Sequence, residues 1–276
     1  MKVALCLFGH LGGKKINDGQ ISHQNLRQSL SAEAYKKTIL DGNDTDIFIH
    51  SWSENYRNQI ISLFSPTDSL IEKQKDFSSE RLDDYLQNDI DSYSRDFNLD
   101  NQKTIHKIND LIIRSSSRWY SNCKAIAMMM DYSHKNKINY DFVFQGRIDL
   151  ILTSKIDFSS LNPNYFYHPI RRNSDSQCID DYFFISNQKN AEIFSEIYKN
   201  KNKYSIRPVV AAKQHLDESN IETKGYLEVH KDFIWIRIQE ERIDQMKILS
   251  RLKRILLNPA NTLKRILKKI TNIRFR

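Results

Sequence analysis

The sequence predicts an α/β fold, a mostly parallel central sheet with helices on both faces. Three observations carry that prediction. The chain opens on a continuous apolar run, Lys2 to Phe8, of the kind a parallel sheet buries on both faces. A second such run, Asp141-Phe142-Val143-Phe144-Gln145, returns much later, and strand-like and helical segments alternate along the chain. A length of 276 residues suits one such domain with embellishments, and no internal repeat is visible.

Each element has its own reason. After the first strand comes Gly9-His10-Leu11-Gly12-Gly13-Lys14-Lys15, a loop that holds three of only seven glycines and so marks a tight turn. Residues 22–40 read as a polar helix, and Asp46-Ile47-Phe48-Ile49-His50 as the second strand, ending in Ser51-Trp52-Ser53. From 65 to 100 the composition is polar and acidic with few strand formers. Leu82, Leu86, Ile90, Tyr93 and Phe97 keep helical spacing there, which predicts a peripheral helical insert. A long helix is expected over 107–135, with Trp119, Cys123, Ile126, Ala127 and Met130 on one stripe that reads as core. Short strands are predicted over 165–168 and 182–186. A helix capped by Asn187 follows, then one with Pro208 in its first turn, then a last strand over 233–238.

Charge divides the chain in two. Residues 245–276 hold ten Lys and Arg and no Asp or Glu, so the remainder carries 32 basic against 34 acidic residues, or −2. The tail alone therefore sets the pI of about 9.2. Met246, Leu249, Leu252 and Leu256, then Leu263, Ile266, Leu267 and Ile270, form two apolar faces beside Lys and Arg, separated by Asn258-Pro259. Such helices suit an anionic membrane interface, and neither run approaches the roughly 20 apolar residues of a span. A terminal helix packed on the body is the other reading. Nucleic acid is a poor partner, because Phe275 is the tail's one aromatic for stacking. A mean hydropathy of −0.61 fits a soluble body. No secretory leader is recognisable, and Cys6, Cys123 and Cys178 have no metal or redox spacing, so a cytoplasmic location is expected.

Ligands of open α/β sheets bind beyond the carboxyl ends of the strands. Three candidate groups fall there. The glycine loop can bring backbone N–H groups to a phosphate, although a simple turn explains it as well. It is no Walker A loop, since Lys14 stands where the second glycine belongs and Ile16 where a hydroxyl belongs, and it is no Gly-x-Gly-x-x-Gly. Arg147 and Asp149, two apart on an extended chain, emerge on one side. They can hold a diphosphate through Arg, a divalent metal through Asp, or simply each other. Asp180-Asp181, ahead of the run Tyr182-Phe183-Phe184-Ile185, offers a general base or merely a turn. His10, His50 and His215 have no helical metal spacing.

Taken in order, the glycine loop, Asp46-Ile47-Phe48-Ile49-His50-Ser51-Trp52, Ser117-Arg118-Trp119-Tyr120-Ser121, the run Tyr140 to Leu150 and Asp180 to Ile185 form a pattern. It resembles that of bacterial surface-polysaccharide (capsule and lipopolysaccharide) glycosyltransferase-like proteins over residues 1–240. The resemblance implies a GT-A-like fold with a Rossmann-like nucleotide-binding half, and sugar transfer from a nucleotide donor to a glycan or lipid-linked acceptor. It implies that Gly9, His10, Gly12, Gly13, His50, Arg147 and Asp149 face the donor, and Asp180 or Asp181 the acceptor or leaving group. Where that family carries Asp-x-Asp for a metal this chain has Arg147 first, so Asp149 alone remains to hold Mg²⁺ or Mn²⁺. A degenerate membrane-surface scaffold and a sugar nucleotidyltransferase are the alternatives.

Overall fold

A computed structural model describes residues 1–11, 29–78, 101–170 and 177–235. Gly12, Gly13, the periodic stretch Leu82–Phe97 and the basic tail lie outside the described residues. The strands are β1 (Lys2–Gly9), β2 (Asp44–Ser51), β3 (Asp68–Ile71), β4 (Phe142–Arg147), β5 (Leu150–Leu152), β6 (Phe166–Ile170), β7 (Phe183–Ser186), β8 (Thr223–Glu228) and β9 (Phe233–Trp235). Seven of them form one sheet in the order β3-β2-β1-β4-β7-β6-β8, while β5 and β9 pair apart as a small ribbon. Neighbours are parallel except at β7, which runs against both β4 and β6. The mostly parallel sheet expected from the buried runs is therefore present.

Alternation along each strand divides its side chains between two helical layers. Val3, Leu5, Leu7, Ile47, Ile49 and Phe144 meet one layer. It consists of α1 (residues 29–40, its last turn Lys36–Leu40 wound as a π-helix) and α2 (Arg57–Phe64), through Tyr35, Ile39, Ile60 and Phe64. Ala4, Cys6, Phe48 and Val143 face the other layer, the 36-residue α3 (Asn101–Asn136) and α4 (Gln188–Ser195). Farther along, Trp119 of α3 packs with Phe166, Phe184, Phe194 and Leu216, the last from α5 (Pro208–Glu218). Asn187 caps α4 as expected, its side chain accepting the Asn190 N–H at 2.7 Å.

The polar stretch from residue 65 begins with a strand that its composition does not announce, ahead of the periodic residues that predict the helix. β3 lies on the sheet edge with only Ile71 fully buried, so its polar composition carries no strand signal. β8 is the opposite edge and was missed for the same reason. The strand expected at 233 is present as β9 and pairs with β5.

Gly146 in β4 sits under the Phe144 ring and Tyr35. A Cβ there would lie 2.4 Å from Phe144 Cε1 and 3.1 Å from the Tyr35 hydroxyl. The Tyr35 hydroxyl also donates to the Arg147 carbonyl at 2.6 Å. Gly146→Ala should therefore cost about 1–3 kcal/mol, the usual range for overpacking, and shift the start of the strand-end loop. Urea unfolding measures it. A stability equal to the parent would show that the Phe144 ring yields freely.

Candidate functional site

Strand order reverses direction at β1: β2 and β3 lie to one side and β4 to the other. The crevice beyond the carboxyl ends of β1 and β4 is thus a topological switch point, the place where open α/β sheets bind ligands. The two ends are tied together, Ile148 N–H donating to the Phe8 carbonyl at 3.0 Å. Because β7 is reversed, it is its amino end that reaches the same edge: Phe183 pairs with Gly146, and Arg147 N–H donates to Tyr182 O at 3.1 Å. Antiparallel pairing is what brings Asp180 and Asp181 beside Arg147.

Arg147 and Asp149 do emerge on one side, and they grip each other. Nε and Nη2 donate to the two carboxylate oxygens at 2.8 and 2.6 Å. The pair is partly exposed, with side-chain exposures of 27% and 17%. Asp149 raises the Arg147 pKa against the opposing effect of burial. The backbone on either side is held independently, by Tyr35 on the Arg147 carbonyl and by Ser31, whose hydroxyl lies 2.5 Å from the Ile148 carbonyl.

Asp181 forms the second pair. Its carboxylate accepts from Nε of Arg118, and its carbonyl accepts from Nη2 of the same guanidinium. Arg118 stands in the middle of α3, stacked on Phe8 with 4.6 Å to the ring centroid. Burial lowers its pKa and Asp181 opposes that. Asp180 is half-buried next to it.

The remaining predicted residues divide. His10 is exposed and reaches Gln74 at 2.8 Å, and Gln74 in turn donates to Ser117 at 3.2 Å. His50 is fully buried, not at the crevice mouth, and is enclosed edge-on by Trp52, itself stacked on Tyr120. Its Nδ1 lies 2.7 Å from Ser121 Oγ and its Nε2 3.2 Å from Glu72. Ser121 also accepts the Gly9 N–H at 3.1 Å and lies 3.4 Å from the His50 carbonyl, to which its hydroxyl can donate. Ser51 donates to the Gly9 carbonyl at 2.8 Å and Ser53 accepts from Leu11 N–H at 2.9 Å. His50 thus acts on the Gly9 turn through Ser121. Removing that acceptor by Ser121→Ala should strand the Gly9 N–H and His50 together, costing about 1–3 kcal/mol in urea unfolding; a neutral change would show that the turn holds itself.

Burial depresses the His50 pKa in spite of Glu72. The folded state therefore takes up this proton less readily than the unfolded chain. The contribution to stability is full above the ordinary imidazole value of about 6.5 and is lost as the pH falls through the lower folded value. His168 and His215, also depressed by burial, act with the same sign. Tm should fall between about pH 7 and pH 5, and His50→Gln should flatten the fall. An unaltered slope would remove His50 from the account.

By sequence the chain matches no described protein family and no curated protein. In fold it is similar to a structure from Desulfovibrio desulfuricans G20, a protein provisionally named a nucleotide-diphospho-sugar transferase. Identity is 8%, 99% of this chain and 96% of that one are covered, and the TM-score is 0.44. A likeness at that level carries no argument about activity.

Sequence reasoning did not single out Ser121, Glu72 or Arg118 as site residues. The available signal was polar residues on a helix otherwise read as core: Ser117 and Arg118, then Ser121 and Asn122, lie on two adjacent turns of α3 at the strand ends.

Proposed function

We propose that the chain is a nucleotide-sugar-dependent glycosyltransferase of GT-A-like fold, acting in cell-surface polysaccharide synthesis of the capsule or lipopolysaccharide kind. One observation carries the reading: a guanidinium, Arg147, stands beside the Gly9 turn at the switch point of a β3-β2-β1-β4 half-sheet. That is where a nucleotide's diphosphate approaches a doubly wound sheet. Planar Arg forks match phosphate oxygens two at a time. Asp180 and Asp181 lie on the neighbouring strand end, where an acceptor hydroxyl would need a base.

A metal on the diphosphate needs only one or two protein carboxylates, since phosphates and water supply the rest. Asp149, the carboxylate of the strand-end motif, gives both oxygens to Arg147. In this reading the pair is already satisfied without a metal, and the charge-neutralising role falls to Arg147. The scaffold alternative draws on the same closed ion pairs.

The test is thermal shift of the full-length protein against UDP, GDP, CMP and TDP sugars, each with Mn²⁺ and with EDTA. A donor at a hundred times its Kd adds about 2.7 kcal/mol of stability. One nucleotide should raise Tm, and should do so in EDTA. A shift that needs Mn²⁺ would return the phosphate to a metal on Asp149. No shift with any donor would overturn the donor reading in favour of the scaffold.

For the acceptor, the reading takes a glycan or lipid-linked glycan at the inner face of the cytoplasmic membrane, approached through the basic tail. None of the helices among the described residues is long and apolar enough to cross a membrane. Deleting residues 245–276 should abolish binding to anionic vesicles while Tm stays within a degree or so of the parent; undiminished binding would remove the tail from that role.

A further inference from the structure

We infer that Arg118 is a second phosphate-binding cation of the crevice, and that Asp181 and a diphosphate compete for its guanidinium. The inference rests on the donor-site reading and deepens it.

The first ground is an unmet group. Arg118 spends Nε and Nη2 on Asp181, while Nη1 is buried with no acceptor among the described residues. A buried, unpaired N–H costs free energy, and a charged donor bears more of it than a neutral one. A ligand oxygen brought to the guanidinium as Asp181 moves aside would meet that need.

The second ground is position. The guanidinium lies on Phe8, the residue before Gly9, and the Phe8 carbonyl receives Ile148 N–H from beyond β4. It therefore sits between the two strand ends that define the switch point. Arg118 and Arg147 are close enough for each to respond to the other's ion pair. Two guanidiniums drawn together in a partly buried place repel each other, and the ligand that suits both is one with two adjacent anionic groups. A diphosphate is that ligand.

The third ground is how the partner is held. Asp181 takes Arg118 with one carboxylate oxygen and with its backbone carbonyl. The carbonyl bond can persist while the carboxylate swings away, so Arg118 stays anchored as it changes partners. With Asp149 and Asp181 in place the four charges sum to zero, which makes the crevice stable before a ligand arrives.

The discriminating experiment is calorimetric titration of the full-length protein with inorganic pyrophosphate in EDTA, on the parent, Arg118→Gln and Asp181→Asn. Loss of a charge-assisted hydrogen bond should weaken binding about tenfold in Arg118→Gln. Asp181→Asn removes the competitor, so it should bind pyrophosphate several-fold more tightly and show a larger Tm rise on binding, although its own Tm falls. Should Arg118→Gln not fold, Asp181→Asn carries the test, because it leaves the guanidinium in place. Parent protein that binds neither pyrophosphate nor any sugar nucleotide fails the donor reading itself. Parent protein that binds, with Arg118→Gln unchanged or Asp181→Asn no tighter, overturns this inference alone.

Discussion

Arg147→Ala is expected to lower donor turnover about a thousandfold, the loss seen when a preorganised charge is taken from a developing anion in a sheltered site. The backbone around it should stay in place. Arg147 N–H is held by Tyr182, its carbonyl by Tyr35, and the next carbonyl by Ser31. The side chain thus makes little of the local fold and most of the local charge. Arg147→Lys keeps the charge but not the fork, so it should recover only part of the loss. Asp149→Asn separates the two chemistries on offer. If Arg147 neutralises the diphosphate, removing its intramolecular partner is mild. If Asp149 holds a metal, the same change is as damaging as Arg147→Ala and the residual rate no longer responds to Mn²⁺. The measurement is kcat/KM for hydrolysis of whichever donor shifts Tm. An Arg147→Ala enzyme with parental turnover would sink the site assignment.

What the sequence shows and conceals has physical causes in particular residues. β1 and β4 were evident because both faces are buried, so Val3 to Phe8 and Phe142 to Phe144 are apolar without interruption. The edges β3 and β8 were not, since half-solvated strands tolerate Asp68, Ser69, Thr223 and Lys224. The long helix was found, but its buried stripe was misplaced at one point: Ala127 is exposed while Ala125 and Met129 line the core. Buried Ser121, Asn122 and Ser133 interrupt the apolar pattern there, and two of them serve the strand ends, Ser121 at Gly9 and Asn122 on Gln145.

The site divides along the same line. Arg147 and Asp149 are two residues apart, so strand geometry alone puts them together. Arg118 and Asp181 are 63 residues apart, and their meeting depends on β7 running backwards. A short buried strand of Phe183-Phe184-Ile185 carries no sign of its direction, because both of its faces are apolar either way. The relay from Glu72 through His50 and Ser121 to Gly9 joins β1, β2, α3 and the residue that follows β3, and no local pattern announces a contact of that kind.

Trp119→Ala should be the most damaging single change to the fold, at about 3–5 kcal/mol. The side chain is 1% exposed and meets Phe194 edge-on at 5.7 Å within the cluster that joins α3, α4, α5 and the β6–β7 part of the sheet. Against a total stability of roughly 5–15 kcal/mol, that is enough to leave a sizeable unfolded fraction at 37 °C. Trp119→Phe should cost far less, below about 1.5 kcal/mol, for two reasons that act together. The ring keeps its contact with Phe194. The indole N–H, buried without an acceptor among the described residues, is removed along with its desolvation cost. Urea unfolding with an unchanged m value isolates both numbers. The Arg118 guanidinium also lies 4.7 Å from the centroid of this ring, so the alanine variant should loosen pyrophosphate binding as well, whereas phenylalanine should preserve it. A phenylalanine variant as unstable as the alanine one would mean that the indole itself, and not its hydrophobic bulk, secures the junction between the helical layer and the strand ends.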